Sequence, residues 1–211
     1  MAASKRQVER TLPDLADDLI PSEIADGTEL DDAHVLNGDF AGKTIHFVSR
    51  RSVIEGVSFA GTTLRSARFR DVRFIRCDLS NAVLRGLEAS RVEFIDCRLM
   101  GMKAIECRME DILLERCEAR YAQFSDGTLR RSEFMETQLT DADFRSTNLE
   151  NTRWIRSNLS RADLTGAKLK GADLCGAAID GLIVSAPDVA GAIVSATQAM
   201  DLARLLGLVI R

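Results

Sequence analysis

Aromatic side chains make up only 5% of this 211-residue chain, and it holds two histidines and three prolines. So little aromatic bulk fits one elongated domain better than a pair of globular ones. His34 and His46 stand without a nucleophile motif beside them, and no P-loop, dinucleotide fingerprint or zinc signature is present, so no enzymatic activity and no cofactor are expected. No apolar run approaches the ~18 residues of a membrane span and nothing reads as a leader peptide, which predicts a cytoplasmic protein that meets no membrane. No CxxC pair occurs among the five cysteines, so a metal site is not expected.

What the chain does have is a period. A bulky apolar residue returns at every fifth position from Ile54 to Val194, through Phe59, Leu64, Phe69 and Phe74 and on to Leu164, Leu169 and Leu174, without a slip over 29 units. Five residues fit neither the 3.6-residue helix nor the 2-residue strand, so the chain must turn a corner in every unit. Two residues before each centre the side chain is mostly small, as at Thr62, Ala67, Cys77, Ala82, Ser132 and Ala162. Positions two apart in extended chain share a side, so both face inward. Cys77, Cys97, Cys107 and Cys117 hold such positions and read as compact apolar filler, the first, second and fourth in one column; Cys175 follows a centre and reads as exposed.

The units Ala162-Asp163-Leu164-Thr165-Gly166, Ala167-Lys168-Leu169-Lys170-Gly171 and Ala172-Asp173-Leu174-Cys175-Gly176 resemble those of the pentapeptide-repeat family. The resemblance implies an all-β solenoid, a right-handed four-sided β-helix with 20 residues per coil. Seven coils at about 4.8 Å each make a rod roughly 35 Å long.

Three segments follow. Residues 1–27 lie outside the frame, are acidic, and read as an N-terminal cap in which Leu12, Leu15, Leu19 and Ile20 cover the first coil. Residues 28–194 form the β-helix. Its first centres, Leu30, Val35, Phe40 and Ile45, are followed by Ile54 after nine residues rather than ten, which predicts a bulge within 46–53, near Arg50 and Arg51. Residues 195–211 close the chain. Ser195 and Gln198 have capping-box spacing for a helix starting near Ala196, Gly207 offers its stop, and Leu208, Val209 and Ile210 read as a short strand.

Charge is unevenly spread, with ten acidic and four basic residues in 1–45 against 22 and 24 in 46–211. Asp31, Asp32 and Asp39 stand in the acidic first coil, where such a run reads either as a solvated surface or as candidate partner contacts. Folding the rest modulo 20 gives an alternating ladder, Arg76, Asp96, Arg116, Glu136 and Arg156, and a similar column Arg73, Glu93, Leu113, Glu133, Arg153, Asp173. On the same face Ile75, Ile95, Met135 and Ile155 stack with Glu115 and Cys175, and this column reads either as an apolar contact surface or as a shield for the strand edges. The face centred on Phe69 to Leu169 is net basic through Arg68, Arg70, Arg91, Arg108, Arg130, Arg131, Lys168 and Lys170.

Met200, Leu202, Ala203, Leu205 and Leu206 are too many apolar residues for one docked helix face, which predicts a homodimer through the C-terminus with Met200, Leu202, Leu205, Leu206, Leu208 and Ile210 as its candidate interface. This tail, with its Q-A-x-x-L-A-x-x-L-G-L run, is similar to the C-terminal module of the gyrase-protecting branch of the family, the Qnr-type quinolone-resistance proteins and the self-resistance factors of topoisomerase-poison producers. That resemblance implies a dimeric DNA mimic that binds DNA gyrase or topoisomerase IV, with no direct nucleic-acid contact. The chain departs from it in its near-neutral β-helix and in the absence of loops inserted between coils from 54 to 194. An interaction scaffold with another partner is the alternative reading.

Overall fold

A chain that turns inward every fifth residue needs a regular corner, and this one makes it with a left-handed residue. The computed structural model describes residues 9–205 and 207–209. From Arg51 to Gly181 every fifth residue, two places after the centre, has φ between +43° and +82°. Glycine and asparagine take that conformation readily, whereas other side chains pay about 1–2 kcal/mol for it. Here many corners are Arg, Asp or Glu, including Arg91, Asp96 and Glu106.

Between corners lie the strands β1 (Ile20–Pro21), β2 (Thr28–Asp31), β3 (Ala33–Asp39), β4 (Thr44–Ser58), β5 (Thr63–Ile75), β6 (Glu88–Ile95), β7 (Arg108–Glu115), β8 (Thr128–Arg130), β9 (Glu133–Met135) and β10 (Arg153–Ile155), before helix α1 (Ala196–Leu205). All pair in parallel, in the order β1-β3-β4-β5-β6-β7-β9-β10, with β2 beside β4 and β8 beside β7. From β5 onward the register is 20 residues, so Phe74, Phe94, Leu114, Phe134 and Trp154 stack in one column. Isolated bridges such as Asp143 with Asp163 continue the same ladder on the remaining faces. The architecture is therefore the expected β-solenoid with one short C-terminal helix.

The centres from Ile54 to Ile179 are all buried, and the core is one continuous column. Its aromatics stack coil on coil, with Phe74 on Phe94 at 4.9 Å and Phe134 on Trp154 at 3.9 Å between ring centroids. Val184, Val189 and Val194 are only partly buried, because among the described residues only the helix covers the last coil.

Two local rules explain the recurrent side chains. An Asp or Asn before the centre accepts the amide N–H of the residue after it, as Asp78 does from Ser80 and Asn158 from Ser160, both at 2.9 Å. The small residue two before the centre often donates to a carbonyl 23 positions earlier. Thr137 Oγ1 donates to Leu114 O at 3.0 Å and Ser157 Oγ to Phe134 O at 2.9 Å. The thiols of Cys77, Cys97 and Cys117 sit in the same column and reach Ile54 O, Phe74 O and Phe94 O at 3.3–3.5 Å. These cysteines are thus weak donors as well as filler. Burial pushes the Cys107 thiol up to about 11.

The frame shift falls within the expected 46–53, at the start of that span rather than near Arg50. Corners run Gly27, Asp32, Asn37, Gly42 and then Arg51, and the β4–β5 register jumps between His46 and Val48. Ser49 is the centre of the short unit, opposite Phe69, and Phe47 fills the core from the position normally held by a small residue. Large and small have changed places, which hides the unit from a search for bulky centres. Leu87 and Ala89 repeat the exchange.

Residues 20–27 lie against the first coil through the pairing of β1 with β3. The preceding residues 9–19 instead run along the outside of the rod. Thr11 N donates to Asp111 at 3.2 Å and Asp14 N to Asp71 at 3.0 Å, so this strap descends over a corner before it reaches the first coil. Leu12 and Ile20, expected to cover that coil, are exposed.

Candidate functional site

The exterior offers three surfaces: a cationic groove, an apolar column and the C-terminal end. The groove lies on the face centred on Phe69, Ala89, Met109, Leu129 and Leu149. It encloses about 900 Å³ between that face and the strap, with Arg50, Arg68, Arg70, Arg108 and Arg130 on its floor and Asp14 on its strap side.

Two members of the expected basic face, of which Arg91 lines the groove, have their charge taken up by the fold itself. Arg91 and Arg131 are corner residues, and each binds the aspartate one coil below: Arg91 Nη2 donates to Asp71 at 2.6 Å, and Arg131 Nη2 to Asp111 at 3.0 Å. Burial opposes ionisation of Asp71 and Asp111, but these guanidinium groups and the strap amides of Asp14 and Thr11 overcome it and hold both carboxyls below the ordinary aspartate value.

Ile75, Ile95, Glu115, Met135 and Ile155 stand in successive register along the expected column. Each is half-buried, and only Cys175 is exposed. The column is bordered by the corner ladder in which Arg116 pairs with Asp96 at 2.7 Å and Arg156 with Glu136.

On the opposite edge of that face the strap completes a second ladder. Arg73 pairs with Glu93 at 2.7 Å and Arg153 with Glu133 at 2.9 Å, while Leu113 interrupts the column between them. Arg10 supplies the missing cation, 2.9 Å from Glu93 and 3.9 Å from Glu133, with its side chain 6% exposed. Sequence reasoning missed this role of the strap. The one available signal was Leu113, a break in an otherwise alternating column.

The acidic candidates are partly neutralised at home. Arg51 binds Asp31 at 2.8 Å and Asp32 at 2.6 Å, and only Asp39 is exposed without an ion pair. Asp32 is held below the ordinary value by the Arg51 hydrogen bond.

At the C-terminus, Ser195 and Gln198 form the reciprocal capping box, with Gln198 N to Ser195 Oγ at 3.2 Å and Ser195 N to Gln198 Oε1 at 3.0 Å. Gln198 Nε2 also donates to Leu174 O at 2.6 Å and Ala177 O at 2.9 Å, tying the helix to the last coil. Gly207 ends the helix at φ +84°, with Leu208 N bonded to Ala203 O. Leu202 is buried in its own chain's core, whereas Met200, Leu205 and Leu208 are exposed. Leu208 and Val209 form no strand: a strand needs a ladder partner, and no described residue pairs with them. Leu206 and Ile210 lie outside the described residues. Among the described residues no group of His, Cys, Asp and Glu is placed to hold a metal, and no helix is long and apolar enough to cross a membrane.

Comparison with curated proteins finds no match. Among solved structures, a trypsin-treated form of QnrB1, a plasmid-mediated fluoroquinolone resistance protein, is 20% identical, with 87% of this chain and 100% of that one covered and a TM-score of 0.46. HetL, a pentapeptide repeat protein involved in heterocyst differentiation regulation from the cyanobacterium Nostoc sp. strain PCC 7120, is 22% identical, with 76% and 84% covered and a TM-score of 0.25. Family models describing a pentapeptide repeat region and eight-copy pentapeptide repeats match residues 67–144 and 137–176. Together they span just over half of the sequence, in the frame whose corners and columns are described above, and the chain belongs to the pentapeptide-repeat family.

Proposed function

We propose that this protein is a non-enzymatic binding rod that pairs with a second copy through its C-terminal end, docks on DNA gyrase or topoisomerase IV, and limits the damage done by poisons of those enzymes. The observation that carries the reading is the C-terminal module. Its capping box and Gln198 bind α1 to the last coil, while Met200, Leu205, Leu208 and Val209 are left exposed beside one another in sequence. Exposed apolar residues concentrated at one end suit a self-complementary contact.

The charge ladders favour a second reading, a scaffold for a different protein partner. Neighbouring coils cancel one another's charge at Arg116 and Asp96, at Arg161 and Asp141 and at Arg51 and Asp32. A rod neutralised in this way does not present the continuous negative potential by which a DNA mimic competes for a DNA-binding channel. On the topoisomerase reading, contact therefore runs through the Ile75–Ile155 column and Asp39.

Supercoiling and cleavage by purified gyrase, with and without a fluoroquinolone, separate the two. Reduced drug-stimulated cleavage at micromolar protein supports topoisomerase protection; unchanged cleavage and supercoiling leave the scaffold. Light scattering tests the dimer on its own: Leu205→Asp gives a monomer, and a monomeric wild-type chain defeats the dimer.

A further inference from the structure

The geometry points to the arginine groove as a docking site for an acidic, extended peptide segment of a partner protein. This inference stands apart from the topoisomerase reading, since it rests on another face of the rod.

The groove holds cationic charge that the fold itself does not neutralise. Arg50 lies directly opposite Arg70 in the β4–β5 ladder, and like charges in that relation destabilise a sheet. Arg50 and Arg108 are exposed and make no ion pair. Arg70 is 3.5 Å from Asp71, but that carboxylate is already bound to Arg91 and to the Asp14 amide. Arg130 reaches Glu110 and Glu150 only at 3.9 Å. Corner arginines such as Arg116, Arg156 and Arg161 lie within hydrogen-bond distance of an acid, whereas the groove gathers several arginines that do not.

The shape and lining select among anions. Glu88 and Glu110 interrupt the arginines, which repels an unbroken polyanion and leaves separate cationic stations. Arg50 and Arg108 stand three coil rises apart, about 14 Å, a span that about four to five extended residues bridge. The one aromatic residue in the lining, Phe69, is buried, so no platform exists on which a nucleic-acid base stacks. Ser90, Thr128 and Asn148 add neutral hydrogen-bonding groups beside the arginines. Every feature fits carboxylates carried on an extended chain, recognised by guanidinium forks. The backbone of a solenoid face is already paired coil to coil, so specificity resides in side chains.

The test is fluorescence anisotropy at low salt, using the full-length protein and a labelled serine–glycine peptide whose glutamates are spaced about four residues apart, to match the separate stations. The wild type is expected to bind, and Arg50→Glu with Arg108→Glu to weaken binding about tenfold or more. Arg65→Glu with Arg98→Glu changes the same charge on other faces, where both arginines are exposed and without ion pairs, and is expected to leave affinity within about twofold. The milder pair Arg50→Gln with Arg108→Gln, checked by thermal melting, guards against misfolding and is expected to give an intermediate loss. Absence of binding by the wild type, equal losses in the two glutamate pairs, or tighter binding of a ten-nucleotide single-stranded DNA than of the peptide each overturns the proposal.

Discussion

Arg10 donates from Nη2 to Glu93 Oε1 at 2.9 Å across 83 residues of sequence, in a buried contact that fills the gap left by Leu113 in a ladder of alternating charge. Replacing Arg10 by Ala removes a charge-assisted bond from Glu93, which keeps Arg73 at 2.7 Å. The expected cost is about 1–3 kcal/mol by urea denaturation. Leu113→Lys puts a cation into the column itself. Alone it is destabilising, because two cations then compete for Glu93 and Glu133. Combined with Arg10→Ala it recovers about 1 kcal/mol or more, and strict additivity in this double-mutant cycle refutes the ladder.

Acid should loosen the strap before it melts the rod. Asp71 and Asp111 have folded-state values below the ordinary 3.8 of aspartate, so the stability they contribute is complete above that value and is lost as pH falls through the lower folded one. Their strap partners are the amides of Asp14 and Thr11. Hydrogen exchange, corrected for intrinsic rate, should show these two amides equally protected at pH 7 and pH 5 (about two units apart) and losing protection only once the pH has fallen below the ordinary 3.8 of aspartate. Protection that instead fades between pH 7 and pH 5 assigns the strap to some other group.

The rod was legible because its period is a covalent property of the chain: any residue five places from Leu164 meets the same corner. Column neighbours such as Phe74 and Phe94, or Arg116 and Asp96, follow from adding 20. What resisted reading were departures from that count. Phe47 and Ser49 exchange large for small, so the missing residue was placed near Arg50 rather than beside His46. Arg91 lines the basic face, but its pairing with Asp71 at a corner of φ +53° takes up its charge, which the residue count alone does not show. Arg10 lies outside the frame altogether, and its partner is set by tertiary structure.

Left-handed corners predict a stabilising change. Ser66 has φ +49°, is exposed, and its side chain makes no hydrogen bond. Ser66→Gly relieves the steric cost of that conformation and adds unfolded-state entropy, for a net gain of about 0.5–1 kcal/mol. Gly86, at φ +71° with nothing within 4 Å of an added Cβ, gives the converse: Gly86→Ala loses about 1 kcal/mol from backbone strain alone. Opposite signs in chemical denaturation are required; two losses defeat the account.

Two buried serines three positions apart should respond in opposite directions. Ser49 and Ser52 are both 0% exposed. Ser52 Oγ donates to Arg50 O and accepts the Ala33 N–H at 3.2 Å, so Ser52→Ala strands two backbone groups and costs about 1–3 kcal/mol. Ser49 Oγ has no hydrogen-bond partner, because its unit is one residue short and a donor occupies a centre position. Ser49→Ala removes a desolvated hydroxyl and leaves a void of one oxygen atom, a balance that favours alanine by about 1 kcal/mol. If both changes destabilise equally in urea, the hydroxyl of Ser49 is satisfied in solution, and the exchange of roles between Phe47 and Ser49 is not the origin of the irregular unit.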